Sequence, residues 1–240
     1  MALLEFHDLE KRFGRKEVLR GISFSINQKD VFGLVGKSGC GKTTLLKILM
    51  GLIPLDRGDI TFENLKFRRK LNYLRKNTGY ASQEDTLFDE LTIKENAYFF
   101  GKLYGLKKKQ IKLNLGELLV LLGLDGFENF EIRSLSGGMN KRANLLISLI
   151  HSPRLLILDE PTVGLDSLLR KSIWQYIKKI NESGTTILVT SHLLDELENN
   201  CNKIAIMKKG KIAESLLIRE YKEKYGKNKS FAKIFEEIVI

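Results

Sequence analysis

The octapeptide Gly36-Lys37-Ser38-Gly39-Cys40-Gly41-Lys42-Thr43 follows the strand-like run Val31-Phe32-Gly33-Leu34-Val35 and opens onto the helix-like run Thr44 to Leu49. Its spacing, G-x-x-x-x-G-K-[ST], constrains the fold more than any other stretch of the chain. A strand must deliver the loop and a helix must begin where the loop ends. The glycines let backbone N–H groups approach a polyphosphate, and the helix N-terminus adds positive potential. A chain built this way is expected to bind a nucleoside triphosphate. Lys42 should reach the β- and γ-phosphates, and Thr43 should offer its hydroxyl to Mg²⁺.

The 240 residues suffice for one large domain with a sizeable insert, and 43% apolar with 29% charged residues is ordinary for a globular protein. No apolar run approaches the roughly 18–20 residues that span a bilayer, and Met1 to Glu10 lacks the basic start and cleavage site of a signal peptide. Two cysteines, Cys40 and Cys201, one of them inside the phosphate loop, argue against a disulfide framework. These features together predict a cytosolic chain. The net charge of +11 gathers at Lys66 to Lys76, at Lys107 to Lys109 and through the C-terminal tail. It fits a solvated lysine-rich surface, attraction to an anionic membrane face or nucleic acid; charge alone does not choose.

Period-two alternation in the first thirty residues, with Leu4, Phe6 and Asp8 against Glu5 and His7, then Ile22, Phe24 and Ile26 against Ser23 and Ser25, predicts half-buried antiparallel strands. Leu155 to Leu158 and Thr186 to Thr190 are unbroken β-favouring runs, as in parallel strands buried on both faces. Leu169, Ile173, Ile177 and Ile180 mark a helix between them, completing a βαβ segment. Residues from Asp85 to Pro153 read as helical. Thr92 and Glu95 form a capping box ahead of a helix that Gly105 stops; a second helix ends at Gly123, and a third runs from Ser136 or Gly137 to Ile150. Lys208-Lys209-Gly210 is a predicted hairpin turn. The expected organisation is one domain, with 1–84 and 154–240 as an α/β core and 85–153 as a helical insert.

Asp159 ends the Leu155 run, where a carboxylate can hold a metal ion, and Glu160 next to it can polarise an attacking water, worth on the order of 10²–10⁴ in rate. Two adjacent acids could otherwise be a charge pair at a helix start. Leu135-Ser136-Gly137-Gly138-Met139 opens a helix with a second anion-seeking terminus. If two copies packed head to tail, that terminus could face the phosphate held by the other copy. His7 and His151 carry no motif and are read as structural.

The phosphate loop, LSGGM at 135–139, LLILDE at 155–160, the following PTVGLD and TSH at 190–192 occur in an order that resembles the nucleotide-binding domain of ABC transporters, across essentially the whole chain. The resemblance implies an α/β P-loop NTPase with a RecA-like core, an N-terminal antiparallel β subdomain and an inserted α-helical subdomain. It implies that ATP with Mg²⁺ is bound by the octapeptide and Thr44, and that Phe13 stacks on adenine. Gln83 would contact Mg²⁺ and water and sense the membrane partner; Ser136 and Gly138 would bind the γ-phosphate of the opposite subunit; Asp166 would couple the two sites, and His192 would touch the γ-phosphate. Thr43, Gln83 and Asp159 then form the metal set, and Glu160, His192, Lys42 and Gln83 the catalytic set. Phe13 in an N-terminal strand could instead be core, and Asp166 could be only a helix-start charge.

Met139, where the wider family usually has glutamine, together with DEPTVGLD and Glu196, is similar to the exporter branch with separate ATPase and membrane chains. A transmembrane permease and a second ATPase copy, identical or paralogous, are the implied partners, at the inner membrane face; nucleic acid is not expected. The chain ends soon after the predicted hairpin, so no long regulatory C-terminal domain is expected. Two alternatives stand beside this reading: a soluble ABC-type ATPase acting in cofactor assembly or on nucleic acid, and a phosphate-loop kinase. Cys40, a thiol at a helix N-terminus in an anion site, is expected to react with alkylating reagents and to be protected by Mg·ATP.

Overall fold

A computed structural model describes residues 1–82, 86–226 and 228–239. The chain runs β1 (Ala2–Phe13), β2 (Lys16–Asn27), β3 (Val31–Gly36), α1 (Lys42–Leu49), β4 (Arg57–Phe62), β5 (Leu65–Lys66) and α2 (Phe67–Lys76). It continues through β6 (Thr78–Ala81), α3 (Ile93–Leu103), α4 (Lys108–Leu121), α5 (Gly137–Leu149), β7 (Leu155–Asp159) and α6 (Ser167–Glu182). The last part holds β8 (Thr186–Thr190), α7 (Leu194–Asn200), β9 (Lys203–Lys208), β10 (Lys211–Leu217), α8 (Ile218–Tyr225) and α9 (Phe231–Val239). Two compact units result, Met1–Arg75 with Thr186–Ile240, and Lys76–Thr185.

The first unit contains an antiparallel sheet in the order β2-β1-β4-β5. Alternation predicts its first two strands, with one departure. Leu4, Phe6 and Leu9 are buried, but Asp8, expected on their face, is exposed. The register slips between Phe6 and Leu9, and Asp8 takes φ +48°. The extra residue turns its carboxylate outward, where Ser23 Oγ donates to it at 2.9 Å. The same unit holds strands in the order β10-β9-β3-β8, with β3 parallel to both β8 and β9. Phe24 stacks on Phe6 at 4.3 Å and on Phe32 at 5.3 Å, so one aromatic stack ties β1, β2 and β3 into a core.

The basic C-terminal stretch is folded rather than a solvated tail. Phe231 and Ile234 on α9 are buried, as is Tyr221 on α8. Each apolar side chain so buried contributes roughly 1.5–3 kcal/mol, which outweighs the scattered lysine charges around it. Glu198 of α7 accepts from the Phe231 N–H at 2.9 Å and pairs with Lys222, fastening both helices to α7.

In the second unit β6 runs parallel to β7, with Thr78 opposite Leu155. The predicted capping box is present: Thr92 Oγ1 accepts from the Glu95 N–H at 3.1 Å and Glu95 Oε2 from the Thr92 N–H at 2.9 Å. Buried Asn96 then bonds the Phe88 N–H and C=O, holding the approach to α3. Gly105 and Gly123 adopt positive φ just past α3 and α4, the stops expected of them. Asn114, also buried, donates to the Ile150 carbonyl at 2.8 Å and so ties α4 to the end of α5.

Candidate active site

In the first unit buried β3 delivers the loop 37–41, and α1 begins at Lys42. Gly41 caps α1 with φ +113°; no side chain caps this terminus and no acid lies in its first turn. Helices α3 and α6 differ, since Thr92 and Asp166 accept from their leading N–H groups, whereas at α5 Ser136 accepts from the Met139 N–H. The α1 terminus therefore keeps donors and dipole for an anion. Lys42 Nζ bends back and donates to the Gly36 carbonyl at the start of the loop at 2.7 Å. Lys37, Ser38, Gly39 and Thr43 are exposed, and Thr44 is half-buried.

The loop is held by close contacts that exclude side chains. A Cβ at Gly36 would fall 2.4 Å from the Met207 carbonyl oxygen and 2.6 Å from Cys40 Sγ. One at Gly41 would fall 2.9 Å from Leu19 Cδ2 and 3.1 Å from the Val18 carbonyl oxygen. Cys40 departs from expectation: its sulfur points behind the loop toward Gly36 and the residue is 7% exposed. This burial works against the reactivity expected of the thiol.

His192 reaches the same end of the parallel strands. Leu34 pairs with Thr190, so Gly36 and His192 each lie two residues beyond one register position, at the carboxyl ends of adjacent strands. Ligands of α/β sheets gather there. Phe13 closes β1 opposite Lys16 and is 51% exposed, so it is not core. Lys11 Nζ sits 5.4 Å from its ring centre and bonds Asp56 at 2.7 Å. That bond, with one from the Arg12 N–H, holds the Asp56 carboxyl below its usual range.

The second unit carries the acids and the second helix terminus. Asp159 ends β7, and the Tyr80 hydroxyl donates to its Oδ2 at 3.3 Å. Burial, then the Asp159 charge, push the Tyr80 phenol up to about 12, so it remains a donor at neutral pH. Glu160 has φ +53°, a left-handed backbone that redirects its side chain from the strand's alternation. Ser136 Oγ accepts from the Met139 N–H at 3.3 Å, and Ser136 and Gly137 are exposed. Gly138 is buried, and a Cβ there would meet Leu169 Cδ2 at 2.8 Å, so its small size serves the α5–α6 contact. Asp166 Oδ1 accepts from the Leu168 and Leu169 N–H groups at 2.9 and 3.0 Å, capping α6. Gln83 lies outside the described residues.

Loop, His192 and Phe13 thus lie in the first unit, and Asp159, Glu160, Ser136, Gly138 and Asp166 in the second. Sequence reading passed over Tyr80 and Arg142. Arg142 donates to the carbonyls of Gly123 at 2.8 Å, Leu122 at 3.1 Å and Gly138 at 3.3 Å, which ties the start of α5 to the end of α4. Its spacing of one helical turn from Gly138 was the available signal. Among the described residues no group of three or more His, Cys, Asp or Glu side chains gathers as a metal cage. Mg²⁺ characteristically takes one or two protein oxygens plus phosphate and water, so it needs no such cage.

Residues 19–163 match the family described as ABC transporter. The linearmycin resistance ATP-binding protein LnrL of Bacillus subtilis is 38% identical over 210 residues, covering 88% of this chain and 68% of that protein. The Nod factor export ATP-binding protein I of Burkholderia lata is 35% identical over 215 residues, covering 89% of this chain and 71% of that protein. Among solved structures, an ATP-binding subunit of an ABC transporter superposes with a TM-score of 0.87 at 25% identity, over 98% of this chain and 99% of that one. The cbiO1 protein of Clostridium perfringens, part of the ABC transporter complex cbiONQ, gives 0.86 at 25% identity, over 93% and 92%. An uncapped, lysine-lined phosphate loop, strand-end acids and these relatives lead to one conclusion: the chain belongs to the ABC transporter family, as an ATP-binding, ATP-hydrolysing subunit.

Proposed function

We propose that this chain powers outward transport through a separate membrane permease, working at the cytoplasmic face of the cell membrane as one of two ATPase subunits. The observation that carries the export direction is the naming of the two relatives above, one for resistance and one for export, at 38% and 35% identity. Two copies, identical or paralogous, close head to tail, each nucleotide shared between the phosphate loop of one and the Ser136–Gly138 terminus of the other. The exposure of Ser136 and Gly137 supports this, with open space beyond the helix's own backbone where a Gly137 Cβ would lie. Attachment to a membrane partner is supported by an exposed apolar face on the second unit: Phe88, Phe99 and Leu103 are 46%, 43% and 69% exposed. Among the described residues no helix is long and apolar enough to cross a membrane.

Phe13 stacks on adenine, and Lys42 with the loop N–H groups neutralises the β- and γ-phosphates. Mg²⁺, when bound with the nucleotide, adds charge neutralisation on the same oxygens; Thr43, Gln83 and Asp159 are the residues that would hold it. Glu160 orients water and takes its proton as the water oxygen bonds the γ-phosphorus and the bond to the bridging oxygen breaks. His192 donates to the departing phosphoryl group. The products are ADP and inorganic phosphate. Asp166 links the two sites of the dimer.

The test is Glu160→Gln. We expect Mg·ATP binding to persist, phosphate release to fall by about 10²–10⁴ and a dimer to accumulate, read by light scattering. Hydrolysis at the wild-type rate removes Glu160 from the mechanism. A strictly monomeric Mg·ATP form at high concentration, even beside the membrane subunit, removes the shared site. Co-purification of a membrane protein in detergent, crosslinked near Phe88 and Phe99, tests the permease assignment.

A further inference from the structure

The turn between β9 and β10 touches the phosphate loop, and one glycine makes the contact. The Gly210 N–H donates to the Cys40 carbonyl at 3.1 Å, and the Gly210 carbonyl accepts from the Arg20 N–H at 2.8 Å. A single peptide segment therefore bonds the loop on one side and β2 on the other. Gly210 has φ +80°, and a Cβ there would lie 2.4 Å from the Val18 carbonyl oxygen, a backbone atom that cannot swing aside. Val18 is the residue whose carbonyl also lies against Gly41. On the far side of the turn, Lys208 Nζ donates to the Ile238 carbonyl at 3.0 Å, so α9 steadies the same hairpin.

We propose that Gly210 is a positioning residue for the nucleotide: it locks the Cys40 peptide, and with it the N–H groups of the loop, against β2. The inference rests on the assignment of the loop as the ATP phosphate site. Cys40 has its N–H bonded to the Lys37 carbonyl at 3.1 Å, so with Gly210 on its carbonyl the middle of the loop is held at both ends of one residue. β2 is the strand paired with the strand that ends in Phe13, so the same lock sets the loop relative to the adenine platform. Losing it leaves the fold but misaligns donors that must converge on phosphate oxygens.

The experiment compares the full chain with Gly210→Ala and Lys209→Gly. Lys209 shares the turn and has φ +47°, so glycine there preserves the bonds of residue 210. Binding of Mg·ADP and of inorganic tripolyphosphate is measured by titration calorimetry, alongside ATP hydrolysis. For Gly210→Ala we expect both dissociation constants and the KM for ATP to rise about tenfold, with kcat within about twofold, while Lys209→Gly binds as wild type. A purely structural role would lower the melting temperature and leave the dissociation constants of the folded protein unmoved. That result, or equal losses in both variants, overturns the proposal. Should Gly210→Ala not fold, hydrogen exchange of the wild-type Gly210 amide decides: slowing on Mg·ADP binding supports the lock, and an unchanged rate overturns it. Failure of the wild-type protein to bind either ligand would instead overturn the loop assignment itself.

Discussion

Glu160 stands at φ +53°, where the Cβ of an L-residue crowds the following carbonyl oxygen at a cost of roughly 1–2 kcal/mol. Such strain, held by surrounding structure, is characteristic of residues whose side chain must point where regular geometry would not send it. Replacing Glu160 with glycine removes the crowding but gives the unfolded chain freedom worth about 0.4–1 kcal/mol. The net gain is on the order of 0.5–1 kcal/mol. The reference should be Glu160→Gln rather than wild type, because both variants lose the carboxylate and its interactions. For a chain of 240 residues, such a gain raises the melting temperature by about 1–4 °C. Thermal melts without nucleotide, followed by circular dichroism, give the first readout and phosphate release the second. We expect Glu160→Gly to melt above Glu160→Gln while both are inactive. A glycine variant that melts at or below the glutamine variant would refute stored backbone strain at this residue.

Two further outcomes follow from local geometry. His151 stacks face to face on Tyr104 at 3.6 Å, and burial lowers its pKa to about 4 although Thr78 offers its carbonyl at 3.1 Å. The folded value lies below the unfolded value of about 6.5, so the unfolded chain binds the extra proton between those limits; stability is full above pH 6.5 or so and declines toward pH 4, by up to about 3 kcal/mol. Melting curves between pH 7 and 4.5 should show this decline in wild type and a flatter profile in His151→Phe, which keeps the stack. Asp166→Ala, which removes two bonds to the start of α6, should cost about 1 kcal/mol in urea denaturation.

Local features of the fold were legible because their partners are near in the chain. Thr92 and Glu95 are three residues apart, and the box they form depends on little else. Lys209-Gly210 turns the β9–β10 hairpin as its composition demands. Leu155 to Leu158 and Thr186 to Thr190 are buried, as unbroken β-favouring runs in parallel strands should be. The helices α8 and α9 were not anticipated, because the burial of Tyr221, Phe231 and Ile234 depends on the distant surface they meet. Phe13 illustrates the limit at the site: periodicity could place it in a strand, but only the fold shows that it is 51% exposed and outside the core.

Taken alone, the order of residues determined that a strand, a glycine-rich loop and a helix succeed one another, and that acids follow a buried strand. Each of these rests on contacts within a few residues, which a linear pattern encodes directly. Tertiary structure decided the rest. It turned Asp8 outward, set Cys40 behind its loop, used Gly138 to admit Leu169, and bent Glu160 into a left-handed backbone. It also brought Gly210 to Cys40 and Arg20, residues remote in the chain. Close packing admits one arrangement of such distant atoms, and no stretch of sequence holds both halves of the contact.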